Sequence, residues 1–186
     1  MQITVPGLTH SAILDTSPIP TSVIDAEGTV VYVNDAFLAY ASKVWGTKIR
    51  SEDRIGRNVR EFITGRGDYD RQEWLKIYDR VLKKGETVFL QEFCGRPLPD
   101  REVHVDVRMN PIKGEDGQVL AAVLTWQDVT DRVNAQREER RRSALDRMRA
   151  SVLSMQTPED IEGVLIELHR QLKPACCRQG SRYTVR

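Results

Sequence analysis

Two hydrophobic rhythms run through the chain, and near its end both give way to charge. Val119 to Trp126 (VLAAVLTW) is apolar and uncharged, the length of a buried strand and too short for a membrane helix. Polar residues Gln127, Asp128, Thr130, Asp131 and Arg132 follow at once. From there to Met155 the chain is highly charged and lacks Gly and Pro. The pattern predicts a buried strand running straight into a long exposed helix that starts near Thr130. Asp128 or Thr130 can act as N-cap, and Asp131 lies near the positive end of the helix dipole. Anything that shifts the strand moves the helix, which is the layout of a sensor joined to a transmitter. Asp128, Thr130, Asp131 and Arg132 are therefore the candidate relay residues.

Upstream, residues 8–15 fit a short helix stopped by Pro18 and Pro20. Residues 21–25 and 29–33 are β-rich runs around an Ala-Glu-Gly28 turn and predict a hairpin. Asn34 is placed to cap a helix over 36–44, and a short helix is expected from Asn58. Between Asp70 and Lys84, Trp74, Ile77, Tyr78, Val81 and Leu82 recur at helical spacing, with Gly85 as the stop. Strands follow over 87–94 and 101–109, then a Gly114–Gly117 turn. In the second of these, Val103, Val105, Val107 and Met109 face one way. His104, Asp106 and Arg108 face the other, so His104 is expected to meet solvent. Two strands, several helices and three more strands predict an α+β domain over 8–129, with the helices on one face of an antiparallel sheet. Residues 1–7 precede it as an extension.

After the domain, Leu145, Met148, Val152 and Met155 follow the 3-4-3 spacing of a coiled coil and are the candidate dimer interface of a signalling helix over 130–156. The other reading is an amphipathic helix packed on its own domain. The arginines here are interleaved with acids and lack aromatics, as on a solvated face rather than a nucleic-acid surface. Thr157 and Pro158 then open a second helix with an Ile161, Val164, Leu165, Leu168, Leu172 stripe. Pro174 ends it. The rest is too short to complete a domain, so residues 157–186 are expected to be the cut start of another.

Charge and cysteine usage narrow the function. A formal net charge of +1 makes no electrostatic case for nucleic acid or an anionic membrane. Cys94, Cys176 and Cys177 have no ligand spacing and are expected to be reduced thiols of a cytoplasmic protein, with no metal site. The first residues have neither the basic start nor the apolar core of a signal peptide. No segment reaches the ~20 apolar residues of a membrane helix, so no membrane contact is expected of this stretch. No nucleophile–base pair suggests catalysis.

The segments SVIDAEGTVVYVNDAF (22–37), IGRNVREFI (55–63), Gly114-Glu-Asp-Gly117 and the ending Asp128-Val-Thr-Asp-Arg132 together resemble a PAS domain over residues 8–132. The resemblance implies a five-stranded antiparallel sheet that holds a small-molecule pocket against its helices. It also implies a sensor that signals through the helix after the last strand, commonly as a homodimer, to a downstream domain of the same parent chain. Residues 143–173 resemble the first helices of a GAF domain.

Which ligand such a sensor takes depends on the pocket. Gly56-Arg-Asn-Val-Arg60 resembles the flavin-binding light-oxygen-voltage motif G-x-N-C-R, with Val59 where the reactive cysteine stands. Trp126 replaces the amide that family carries on its last strand. Valine has no thiolate, so an adduct-forming flavin is argued against. Haem needs an axial ligand, and the 70–84 helix has no histidine. A small organic ligand or a filled core remains. Phe37, Tyr40, Trp45, Phe62, Trp74, Tyr78 and Trp126 are the candidate pocket residues, with packing alone as the alternative. Finally, Glu167-Leu-His169-Arg resembles the phospho-accepting helix of sensor histidine kinases. Arg170, however, stands where that motif places an acid. A kinase fragment using His169 and a purely structural dimerisation module are the rival readings.

Overall fold

The computed structural model describes residues 10–63, 70–98, 100–153 and 183–185. Contacts divide the chain after Val129. One unit comprises Met1–Val129 with Ser181–Arg186, the other Thr130–Gly180.

The first unit opens with helix α1 (His10–Asp15) and the hairpin of β1 (Thr21–Asp25) and β2 (Val30–Val33). The Asp25 carboxylate accepts from the N–H groups of Glu27 and Thr29 at 3.1 and 2.7 Å. Gly28 supplies the φ of 87° that the turn requires. Helix α2 (Asp35–Trp45) starts immediately after β2. Asn34 is its N-cap, as expected, and does much more. Its Oδ1 accepts from Phe37 N–H and from Thr21 N–H, both at 2.9 Å. Its Nδ2 donates to the carbonyls of Leu14, Ser17 and Ile19 at 3.1, 3.3 and 2.9 Å. The residue is wholly buried.

Two 3-10 turns, Ser51–Asp53 and Val59–Glu61, lead toward helix α3 (Arg71–Lys84). Asp70 and Glu73 form a reciprocal capping box at its start, and Gly85 ends it in the left-handed conformation. Its buried residues are the five of the predicted stripe: Trp74, Ile77, Tyr78, Val81 and Leu82.

Strands β3 (Val88–Leu98), β4 (Arg101–Lys113) and β5 (Val119–Asp128) complete the five-stranded antiparallel sheet, with α2 and α3 packed on one face. A sixth, three-residue strand, β6 (Tyr183–Val185), pairs with the free side of β3 at Val88–Leu90, giving the order β2-β1-β5-β4-β3-β6. No strand was expected there. The core lies between sheet and helices around Ile24, Leu90, Val107, Met109 and Leu124.

Three details correct the sequence reading. The apolar run of β5 is fully buried on one face only: Ala122 and Leu124 are in the core, whereas Ala121, Val123 and Thr125 on the other face are half-buried. An antiparallel strand with helices on a single side needs no more. Secondly, β3 and β4 run four residues further than expected, through Leu98 and Lys113, because neighbouring strands satisfy their backbone groups despite Pro97 and Pro111. Thirdly, His104 is 4% exposed rather than solvent-facing.

A bulge in β3 bears on that last point. Leu90 pairs with Val107, but Phe93 pairs with Val105, so β3 carries one residue more than β4 across this step. Glu92 takes a φ of 52°, and its N–H is held by the Asp106 carboxylate at 2.7 Å. The extra residue resets the inward–outward alternation, turning Phe93 to the helix side and Cys94 to the other, opposite His104.

Removing the Asn34 amide takes the acceptor from two N–H groups and one donor from each of three carbonyls. Asn34→Ala is expected to cost about 3 kcal/mol or more in urea unfolding followed by tryptophan fluorescence. Asn34→Asp should not rescue it, since a carboxylate cannot donate to the three carbonyls. A loss below about 1 kcal/mol would show that the junction does not depend on these bonds.

Candidate functional site

A cavity of about 190 Å³ lies between the sheet and α2 and α3. All seven aromatic residues singled out from the sequence line it. Phe37 and Tyr40 come from α2 and Trp45 from its end; Trp74 and Tyr78 come from α3. Phe62 closes the second 3-10 turn, and Trp126 stands on β5. The Trp74 ring meets Phe93 edge-on, with centroids 5.0 Å apart, and Phe37 is tilted against Trp126 at 6.4 Å. Val59, which replaces the reactive cysteine of the light-oxygen-voltage motif, is buried and lines the same space. Asn58 bonds to the Glu27 carbonyl at 2.9 Å, and Val59 N–H to the Gly28 carbonyl, so the GRNVR segment is tied to the β1–β2 turn.

Two polar atoms distinguish this cavity from a plain apolar core. Trp126 Nε1 and Arg54 Nε are buried without a hydrogen-bond acceptor among the described residues, and both residues line the cavity. The Arg54 guanidinium lies over the Phe62 ring at 4.1 Å. Burial and the neighbouring Arg57 lower its pKa, against a smaller opposing effect of Asp53. Arg54 was not foreseen, because a lone arginine in a polar loop has no periodicity to mark it. Tyr40 and Tyr78 are held protonated far above the ordinary phenol range. Burial is the cause for both, with the Asp128 carboxylate adding to it at Tyr40. No histidine, cysteine or methionine is among the lining residues described, so the walls offer haem none of those axial ligands.

The relay candidates fall at the end of β5 and the start of α4 (Thr130–Leu153). Asp128 is the last strand residue and pairs with Lys43 of α2 at 3.3 Å. Thr130 is the first helical residue, and Asp131 lies in the first turn. Arg132 follows it there. The N–H groups at the end of β5 are also tied to neighbours, Trp126 to the Pro20 carbonyl at 3.0 Å and Val129 to the His104 carbonyl at 2.8 Å. In α4, Leu145 and Val152 are 43% and 52% exposed, and Met148 is half-buried. Met155, His169, Cys176, Cys177 and residues 154–173 of the GAF-like stretch lie outside the described residues.

On the sheet face away from the cavity, the fold gathers Cys94, Glu102 and His104, where no such group was expected. Sequence distance conceals it, because the contact is made across two strands and depends on the β3 bulge.

Fold and cavity together define a sensory-type α+β module in which a sheet and its helices enclose a small chamber. A family model described as the PAS fold matches residues 14–134, and the chain belongs to that family. It is in general terms a PAS-type signal-transduction module. Among solved structures it is similar to an RNA-binding light-oxygen-voltage receptor: 19% identity, TM-score 0.51, covering 79% of this chain and 41% of that one. It is similar, too, to a sensory box sensor histidine kinase of Vibrio cholerae: 21% identity, TM-score 0.45, covering 63% and 86%. A third is the PAS domain of Bordetella pertussis BvgS: 18% identity, TM-score 0.48, covering 72% and 93%. These likenesses are of fold alone, and this chain spans less than half of the light-oxygen-voltage receptor chain. A comparison with curated proteins found no match. No helix among the described residues is long and apolar enough to cross a membrane.

The phenols of the half-buried Tyr40 and the buried Tyr78 carry a pH signature. Their folded pKa values lie above the unfolded value of about 10, so the native state keeps protons that the unfolded chain releases. Their stabilising contribution is complete below about pH 10 and is lost as the pH rises above it. Unfolding free energies from urea titration should fall there, by up to about 1.4 kcal/mol per pH unit for each phenol, and less steeply in Tyr78→Phe. A flat profile up to about pH 11 would contradict the burial of these hydroxyls.

Proposed function

We propose that this chain is the sensing part of a signalling protein. Its cavity takes a small organic ligand with one ring and a hydrogen-bond acceptor or anionic group. Occupancy is relayed through β5 into α4, and from there to a downstream domain of the parent chain, where the GAF-like stretch would begin. The observation that carries this reading is the pair of unsatisfied donors, Trp126 Nε1 and Arg54 Nε, set in aromatic walls. A buried donor without an acceptor costs about 1–3 kcal/mol, and a ligand oxygen would recover that cost. The size agrees, because an apolar protein cavity of about 150 Å³ accommodates benzene. Trp126 is two residues before Asp128, so a ligand bonded to its indole acts on the strand end where the helix starts. The ion pair of Asp128 with Lys43 joins that end to α2, which supplies another wall of the cavity. The exposed Leu145 and Val152 support a homodimer through α4, with Met148 and Met155 completing the seam.

A thermal-shift and calorimetric screen of single-ring carboxylates against their uncharged analogues tests the ligand class. Carboxylates should raise the melting temperature and bind with one-to-one stoichiometry. Arg54→Gln should weaken them about tenfold, the loss of one charge-assisted hydrogen bond, and affect the uncharged analogues less. If no single-ring compound binds, the cavity is only a packing defect.

For the dimer, Leu145→Glu combined with Val152→Glu should give monomers in light scattering, since an apolar seam cannot take two unpaired charges per chain. Unchanged mass would locate the interface elsewhere.

A further inference from the structure

Strands β3 and β4 carry a second group of chemistry-bearing side chains, turned away from the cavity. Cys94 stands directly opposite His104 in the antiparallel register. Glu102 lies two residues before His104 and so on the same face of the strand. One donor atom from each lies within 4.8 Å of the others. His104 Nε2 is 3.0 Å from Glu102 Oε1. Cys94 and His104 are buried, whereas the Glu102 side chain is 33% exposed, so the group opens to solvent on the carboxylate side.

We propose that Cys94, Glu102 and His104 form a binding site for one divalent cation of the zinc type. The donor set decides the class. A thiolate, an imidazole and a carboxylate suit a borderline-soft ion, whereas calcium and magnesium take oxygen alone. Zinc bonds to these donors are about 2.0–2.3 Å long, which places the ligands of one tetrahedral ion roughly 3–4 Å apart. Side-chain rotation on fixed strands brings the three donors to that spacing. Water fills the fourth position. On binding, the Cys94 sulfur–hydrogen bond gives way to a sulfur–metal bond, and the thiol proton leaves to solvent. No electron is transferred. The other oxygen of Glu102 is 3.5 Å from Arg96 Nη2, which holds the carboxylate in orientation.

The site is distinct from the cavity but not isolated from the output end of the module. The His104 carbonyl accepts the Val129 N–H at 2.8 Å, and Val129 immediately precedes α4. An ion that fixes His104 therefore fixes the strand position from which the helix departs. That makes the site a second input, independent of a ligand in the cavity.

The test uses the full chain, reduced and stripped with chelator, titrated with cobalt(II) as a spectroscopic probe and then with zinc. One equivalent of cobalt should produce an intense near-ultraviolet thiolate charge-transfer band, which zinc abolishes. Cys94→Ser should remove the band. His104→Gln and Glu102→Gln should each weaken cobalt binding at least about tenfold. The double variant Cys176→Ser, Cys177→Ser, which deletes the other two thiols, should keep the band. Circular dichroism verifies each fold, and if Cys94→Ser does not fold, Glu102→Gln at its partly exposed position carries the test. The proposal is overturned by no stoichiometric uptake at micromolar cobalt, by a band that survives Cys94→Ser, by a band lost in the double cysteine variant, or by unchanged affinity in Glu102→Gln.

Discussion

The fold depends on one side-chain amide. Asn34 joins the end of α1, the α1–β1 loop, the first residue of β1 and the first turn of α2, and it does so with its own side chain wholly buried. A β-strand and a helix leaving the same point in different directions both end with unsatisfied backbone groups. A single residue able to donate and accept at once satisfies those groups on both sides. The placement of α2 over the sheet follows from it, and with α2 come Phe37, Tyr40 and one wall of the cavity.

The opposite wall ends where β5 is held from several directions. Trp126 is bonded to Pro20, Val129 to His104, and Asp128 is paired with Lys43. The exposed ion pair contributes little stability by itself. Its significance is geometric: the strand end is connected to β4 and to the residues leading into β1, and through Lys43 to the helix lining the cavity. All of these contacts meet at the residues where β5 becomes α4.

The elements were legible where local physics decides them. The α3 stripe, the Asp70 cap and the Gly85 stop are short-range signals, and so are the β1–β2 turn and the Asn34 cap. The seven aromatics all line the cavity, but Phe93, which lines it too, was not among them. Long-range partners were not legible. Asn34 reads as an ordinary cap because the carbonyls it holds are 15 to 20 residues away. Arg54 is one charged residue among many until the fold buries part of it. His104 reads as exposed because strict alternation beside Asp106 and Arg108 predicts a wet face, and nothing local reports what covers that face. Cys94 has no spacing to a ligand because its neighbour lies across a strand pair, in a register set by an extra residue.

That extra residue makes β3 a strand of two phases. Up to Leu90 it is read in one parity, and from Phe93 in the other. The chain thereby decides which of two adjacent side chains, a phenyl ring or a thiol, is given to the interior chamber. Straightening β3 at unchanged length would slide Phe93 opposite His104 and Cys94 opposite Val103, placing sulfur in the chamber and the ring outside without altering either side chain. Few point substitutions change a chamber's chemistry so completely. A one-residue slip of register is thus the shortest step between a chamber suited only to reversible ligands and one equipped with a nucleophile.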